Sequence, residues 1–305
     1  MLKYIVKRLI LAVVTIYIVA TLTFFLMYLV PGGPFLSEKA PSAATLAALE
    51  AKYGLDQPVT VQYKNYMLRL LQGDMGPSLK QRGKEVSDII FTRLPVSVKI
   101  GSLAVVVALA CGVVLGSIAA LNRGKALDNI IVFFSTCGIA IPSFVVCTVL
   151  MFILGEKLRL LPTFGLNTPS SYIMPVIAVA LYPMSYIARL MRSCMLDVLG
   201  QDYMRTARAK GLSQTKALFK HALRNAILPV VTYLGPMIAY TLTGSFVVET
   251  ILTIPGLGAS FVTSITARDY PLIMGTTIFL AFLLVTMNVV VDIVYKLVDP
   301  RINLQ

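Results

Sequence analysis

Residues 9–30 read LILAVVTIYIVATLTFFLMYLV, an unbroken apolar run that ends in Pro31-Gly32-Gly33-Pro34. Coiled as an α-helix, these 22 residues extend roughly 33 Å, enough to cross the hydrocarbon of a bilayer. A cleaved signal peptide has a shorter apolar region closed by a small-residue cleavage site, so this run is expected to be a resident span. Five further runs of spanning length lie at about 96–121, 130–154, 172–191, 227–248 and 272–298. Backbone polar groups in lipid must bond within their own segment, which leaves helices as the economical solution. The expected fold class is therefore an all-α integral membrane protein of six transmembrane helices.

Composition agrees with that arrangement. Of 305 residues, 57% are hydrophobic and only 13% charged, about half the charged share of a soluble domain. The formal net charge of +13 is read as topology and lipid contact. Nucleic acid is not an expected partner, because no basic cluster is interleaved with stacking aromatics.

Orientation follows from lysine and arginine. With six spans both termini share a side, and that side collects 15 basic residues, among them Lys3, Lys7, Arg8, Arg123, Lys125 and eight in 189–226. The opposite side holds 12, but nine fall in segment 31–99, which is too long to count fully in the charge rule. The termini are thus expected to be cytoplasmic and residues 31–95 external. That segment reads as short helices: Ser42 to Tyr53 with Gly54 as its C-cap, a second opened by Pro58 and closed by Gly73-Asp74-Met75-Gly76-Pro77, and a third over 85–94 carrying Val86, Ile89, Ile90 and Leu94. The chain divides into 1–94, the first span plus an external helical segment, and 95–305, a core of five spans.

No Asp, Glu, Lys or Arg occupies a span centre; Lys99, Arg189, Glu249 and Asp292 sit near span ends, where they are expected to reach the interface. A proton- or sodium-coupled carrier normally keeps an ionisable group at mid-membrane, so energy for any transport is expected from outside this chain. The prolines within spans, Pro142, Pro175, Pro183, Pro229 and Pro236, are candidate kinks. Gly112 and Gly116 form a Gly-x-x-x-Gly pair that permits close helix packing. The neutral polar residues of the spans serve individually as interhelical hydrogen-bonding groups. As a set, Ser143, Tyr182, Tyr186, Tyr233, Tyr240, Thr241 and Ser245 suit a weakly binding, sequence-tolerant path.

Catalytic and cofactor signatures are missing. There is no phosphate-binding glycine loop, no intramembrane Asp pair or Ser–His set, and no cysteine spacing of a zinc site; Cys111, Cys137, Cys147 and Cys194 read as small apolar residues and His221 as a polar loop residue. Neither enzymatic activity, a cofactor nor a metal is expected.

The most informative loop is 197–229, DVLGQDYMRTARAKGLSQTKALFKHALRNAILP. It breaks into two short helices, one through about 202–210 ended by a left-handed Gly211, the other capped by Ser213 and running to Arg224. Lys216, Lys220 and Arg224 recur every four residues and form one basic stripe. Such a stripe suits either anionic headgroups or a protein partner.

The stretch RTARAKGLSQTKALFKHALRNAILP resembles the EAA loop of permease subunits in ATP-binding-cassette importers. Thr206 and Ala207 match the family's small pair, Gly211 its glycine and Leu228-Pro229 its close; Arg205 departs, standing where glutamate is common. The segments KRLILAVVTIYIVATLTFFLMYLVPGGPF, GDMGPSLK, GIAIPSFVV, LTGSFVVETILTIPGLG and RDYPLIMGTTIFLA are similar to the oligopeptide/dipeptide branch, most of all to its oligopeptide B subunits. The resemblance implies that 197–226 holds a helix seated on an ATP-hydrolysing subunit, with Arg205, Thr206, Ala207, Arg208, Ala209, Lys210, Gly211, Leu212 and Lys216 as coupling residues. It implies half of a peptide pathway, completed by a second homologous permease, driven by two ATPase subunits and fed by an extracellular or periplasmic peptide-binding protein. A dipeptide or nickel permease is the near alternative. A proton-coupled peptide carrier is the distant one, disfavoured by the uncharged span centres.

Overall fold

The computed structural model describes residues 2–31, 33–35, 42–212, 222–242 and 246–298; for 2–5, 205, 207, 208, 239, 242 and 291–298 it describes the backbone alone. The described residues are helical, with one isolated antiparallel bridge among them, between Pro77 and Glu85. In order the helices are α1 (Leu2–Leu29), α2 (Ala43–Tyr53), α3 (Val59–Leu71), α4 (Val86–Leu121), α5 (Ala126–Ala140), α6 (Ser143–Leu150), α7 (Ile173–Leu199), α8 (Asp202–Ala209), α9 (Leu223–Ala226), α10 (Leu228–Leu242), α11 (Phe246–Ile251), α12 (Leu257–Ala267) and α13 (Tyr270–Val298). Wider π-type turns carry α6 on through Met151–Lys157, and a 3-10 turn, Pro169–Tyr172, leads into α7.

Among the described residues, four helices are long and apolar enough to cross a membrane: Val6–Leu29, Val86–Leu121, Pro169–Leu199 and Tyr270–Val290. The third expected span is a pair, Ala126–Ala140 and Ser143–Lys157, bent by 104°. The cause is local. Pro142 has no N–H to give a helix and forces the preceding Ile141 out of the helical region, to ψ 121°. Pro175 and Pro229 instead stand in the first turn of α7 and α10, where a proline N–H would be unused anyway. In place of the fifth expected span stands α10, whose 15 residues cover about 22 Å, short of the ~30 Å hydrocarbon.

The expected pieces before span two are present, with one difference. Ser42 caps α2, its hydroxyl accepting from the Thr45 N–H, and Gly54 ends that helix at φ +67°. Residues 85–94, expected as a separate external helix, instead cap and open α4, which runs 36 residues from Val86 and passes through Pro95. Val86, Ile89 and Ile90 are buried there against Leu257 of α12 and Leu272 of α13, and that burial holds the extension in place.

The core is α4 against α7, and the glycine pair makes it possible. A Cβ on Gly112 would stand 2.8 Å from the Ile187 Cβ, and one on Gly116 would stand 2.7 Å from that of Met191. The two helices run parallel, since Gly112 meets Met184 and Ile187 while Gly116 meets Ala188 and Met191. Helix α5 returns antiparallel, with Asp128 beside Arg192 and Gly138 beside Ser185. One end of the bundle therefore collects the end of α1 and the starts of α4, α7 and α13. The other collects the end of α4, the start of α5, the end of α7 and the loop after it.

Candidate functional site

Helix α8 follows α7 after a two-residue break and is anchored on the side that faces the bundle. Met204 is 1% exposed and joins the same buried cluster as Ala222, Ala226 and Met195. Asn225 of α9 donates to the Tyr203 hydroxyl at 2.9 Å, tying the two ends of the loop together. Thr206, Ala209, Lys210 and Gly211 are exposed, while Leu212 is half-buried against that cluster. The expected left-handed stop is present: Gly211 has φ +77°, and nothing lies within 4 Å of a Cβ built there. Strain at this position would thus come from the backbone alone. Arg205, Ala207 and Arg208 are placed in α8 by their backbone. Lys216, Lys220 and the second loop helix from Ser213 lie outside the described residues.

The tyrosines expected to line a path do come together. The Tyr186 and Tyr233 rings, from α7 and α10, lie 4.3 Å apart between centroids. Tyr182 lies one turn before Tyr186 on α7, and Tyr240 two turns after Tyr233 on α10. Tyr182, Tyr186 and Tyr240 are 43%, 39% and 67% exposed, so this face of the bundle presents aromatic rings with polar tips. Thr241 does not share it: it is buried, and its hydroxyl returns to the carbonyls of Met237 and Ile238 within α10. Ser143 is half-buried at the bend after Pro142, and Ser245 lies outside the described residues.

Three polar constructions were not foreseen as such. Glu249, expected to reach the interface, is 2% exposed. Its carboxylate accepts from the Ser97 hydroxyl at 2.7 Å and from the Ala259 N–H at 3.0 Å, while the Ser97 oxygen accepts from the Leu257 N–H at 2.9 Å. Together they cap the free N–H groups that open α12, and Gly256 leaves no Cβ in the carboxylate's way. Asp128 receives a forked pair from Arg192, at 2.6 and 2.8 Å, and the Gly124 N–H at 2.9 Å, pinning the α4–α5 turn to α7 beside the loop. Asp269, 1% exposed, accepts from the Ser78 hydroxyl and, at 3.0 Å, from the Leu79 N–H. Each joins segments far apart in the chain. The sequence signals are an acid ahead of Pro-Gly-Leu-Gly at 255–258 and an acid closing Ala-Arg-Asp at 267–269.

A face of neutral aromatic polar groups beside short, bent helices can line a solute path, and a glycine-terminated helix on the end of the bundle can take force from a partner. The family follows from comparison. Residues 112–304 match the model described as binding-protein-dependent transport system inner membrane component, and residues 1–101 match the N-terminal model of the same system's membrane component. This chain belongs to that family. The permease family's relatives include the dipeptide transport system permease protein DppB of Bacillus subtilis (strain 168), 46% identical over 304 residues, 100% of this chain and 99% of the relative. The oligopeptide transport system permease protein OppB of Haemophilus influenzae is 44% identical over 99% of this chain and 100% of its own length. OppB of Escherichia coli (strain K12) is 40% identical over the same shares. Among solved structures, a chain of the MetNI methionine ABC transporter in inward-facing conformations aligns at a TM-score of 0.54 and 14% identity, over 69% of this chain and 96% of that one. That likeness concerns the permease fold.

Proposed function

We propose that this chain is the transmembrane permease subunit of a peptide importer, forming half of the translocation pathway and energised by separate ATPase subunits. The observation that carries it is the anchored helix α8 ended by Gly211 at φ +77°, presented at one end of the bundle where a partner can push on it. Peptide as substrate is supported by relatives named for dipeptide and oligopeptide transport at 46% and 44% identity. Oligopeptides are our choice, on the GDMGPSLK and PGGPF segments; dipeptides and nickel are the alternatives.

In this mechanism a second homologous permease supplies the facing half, two ATPase subunits sit below α8, and an external binding protein delivers peptide. Closure of the ATPases moves α8 and, through it, α7 and α10, which carry Tyr182, Tyr186, Tyr233 and Tyr240. Access thereby switches from one side to the other. Phenol hydroxyls satisfy peptide backbone groups without discriminating among side chains, as a tolerant path requires. The topology is six spans, the third bent at Pro142 and the fifth begun by α10, with cytoplasmic termini and 31–95 external. The division into 1–94 and 95–305 is one of role, since α4 belongs to both. Competitive uptake with peptides of two to six residues and with nickel tests the substrate. Loss of this chain that spares peptide uptake but abolishes nickel accumulation would reassign the branch. Impermeant thiol labelling of Ser42→Cys but not Gln214→Cys in intact cells tests the orientation.

A further inference from the structure

The turn between Gly76 and Val86 carries Lys80, Arg82 and Lys84, all exposed, with Glu85 exposed at its base. None of the three cations forms an ion pair among the described residues. The turn is nonetheless rigidly built. Ser78 N–H bonds the Lys84 carbonyl at 3.0 Å, Val86 N–H bonds that of Gly76 at 3.0 Å, and the Ser78 hydroxyl oxygen accepts from the Gln81 N–H at 2.9 Å. Its root is the buried Asp269, at the junction of α12 and α13. Next to it Arg268 donates to the Pro31 carbonyl at 3.1 Å, so the end of α1 is fastened to the same junction. A buried carboxylate that fixes a loop whose own charges meet no counter-charge among the described residues is a presentation device.

We propose that Lys80, Arg82 and Lys84 form a docking surface for an acidic face of the binding protein on which this family's transport depends. This rests on the importer reading and adds to it the place and charge of the contact. Height above the membrane selects protein over lipid as the partner. Helix α4 has 36 residues, about 54 Å, and its far end at Leu121 is followed by Arg123 and Lys125, which hold that end at the interface. At the common tilt of ~20°, α4 covers about 51 Å along the bilayer normal, against a hydrocarbon core of ~30 Å and a whole bilayer of ~45 Å. The turn then stands ~20 Å outside the hydrocarbon and more than ~10 Å beyond the headgroups, farther than the ~8 Å over which salt leaves lipid charge effective. Three cations at that height steer an acidic protein surface. The contact also reaches the core, because Asp269 joins the turn to α13 and Val86 packs against Gly275 of the same helix.

The test uses the assembled complex in nanodiscs of neutral lipid, titrated with its peptide-loaded binding protein while ATP hydrolysis is read. In the Lys80→Glu/Arg82→Glu/Lys84→Glu variant the half-saturating concentration is expected to rise about tenfold or more, with the maximal rate retained. The matching Gln variant should fall between, and the wild-type value should rise with salt. Co-purification with the ATPase subunits verifies assembly of each variant. A half-saturation unchanged by the substitutions and by salt, with peptide uptake intact, overturns the docking surface and leaves the importer standing. A half-saturation set by the anionic-lipid content of the disc rather than by the substitutions assigns the turn to the membrane and overturns the proposal. Failure of the wild-type complex to respond to any binding protein or to import peptide overturns the importer reading itself.

Discussion

Gly112 of α4 lies against Ile187 of α7 so closely that a Cβ on the glycine would stand 2.8 Å from the isoleucine's own. No side chain fits on α4 at this position, and α7 leads on to α8. The interface is thus both the core of the fold and the lever arm of the proposed coupling.

Gly112→Leu or Gly116→Leu should force α4 and α7 apart. Overpacking of this kind costs about 1–3 kcal/mol, and more where backbone blocks relief, as the Ala188 carbonyl does at Gly116. Melting of the detergent-solubilised subunit, followed by size-exclusion, should drop for both. A variant as stable as wild type would mean the helices can separate freely.

Glu249→Ala should strand the Ser97 hydroxyl and the Ala259 N–H, at about 1–3 kcal/mol for each unsatisfied group. Glu249→Gln keeps acceptor oxygen but not the charge at the helix start, so its loss should be smaller. The expected order of thermal stability is wild type, then Gln, then Ala. Equal melting of all three would remove the capping role.

Asp128 and Arg192 should show coupling in a double-mutant cycle. Replacing either by Ala leaves the other without its forked partner, so the double variant should lose less than the sum of the singles. The difference should be about 0.5–3 kcal/mol, toward the lower end because Arg192 is 29% exposed. Strict additivity would show that the pair carries no net interaction.

Gly211→Val should strain a left-handed position by about 1–2 kcal/mol and misdirect the chain leaving α8. Arg205 and Arg208, three apart on α8, should act as one face, so Arg205→Glu/Arg208→Glu should repel an acidic cleft. In both variants peptide-stimulated ATP hydrolysis and uptake should fall together while the subunit still inserts. Wild-type transport by both would show that α8 is not the coupling element and favour a lipid-surface role for the loop.

How much of this was legible without coordinates depended on the range of the interaction. The helix from Ser42 closed by Gly54, the left-handed Gly211 and four of the long apolar runs are local properties of consecutive residues, and each is present in the fold. The glycine pair signalled close packing, but not its partner: Ile187, Ala188 and Met191 are identified only by the parallel register of α4 and α7. Tyrosines in two separate runs suggested a shared face, and it took the crossing of α7 and α10 to set Tyr186 against Tyr233.

The sequence by itself determined a helical membrane protein with a glycine-ended loop helix, because hydrophobic length and backbone freedom are written residue by residue. Tertiary structure alone decided the rest. Pro142 yields a 104° break, whereas Pro95 is carried within a continuous helix, because Val86, Ile89 and Ile90 are buried ahead of it against α12 and α13. Glu249 was placed at a span end by its position in the chain, yet it is buried by Ser97, 152 residues away; Asp269 is claimed by Ser78 at a separation of 191. A carboxylate inside a protein is tolerated only where donors converge on it, and which donors converge is a property of the folded chain, not of its neighbours in sequence.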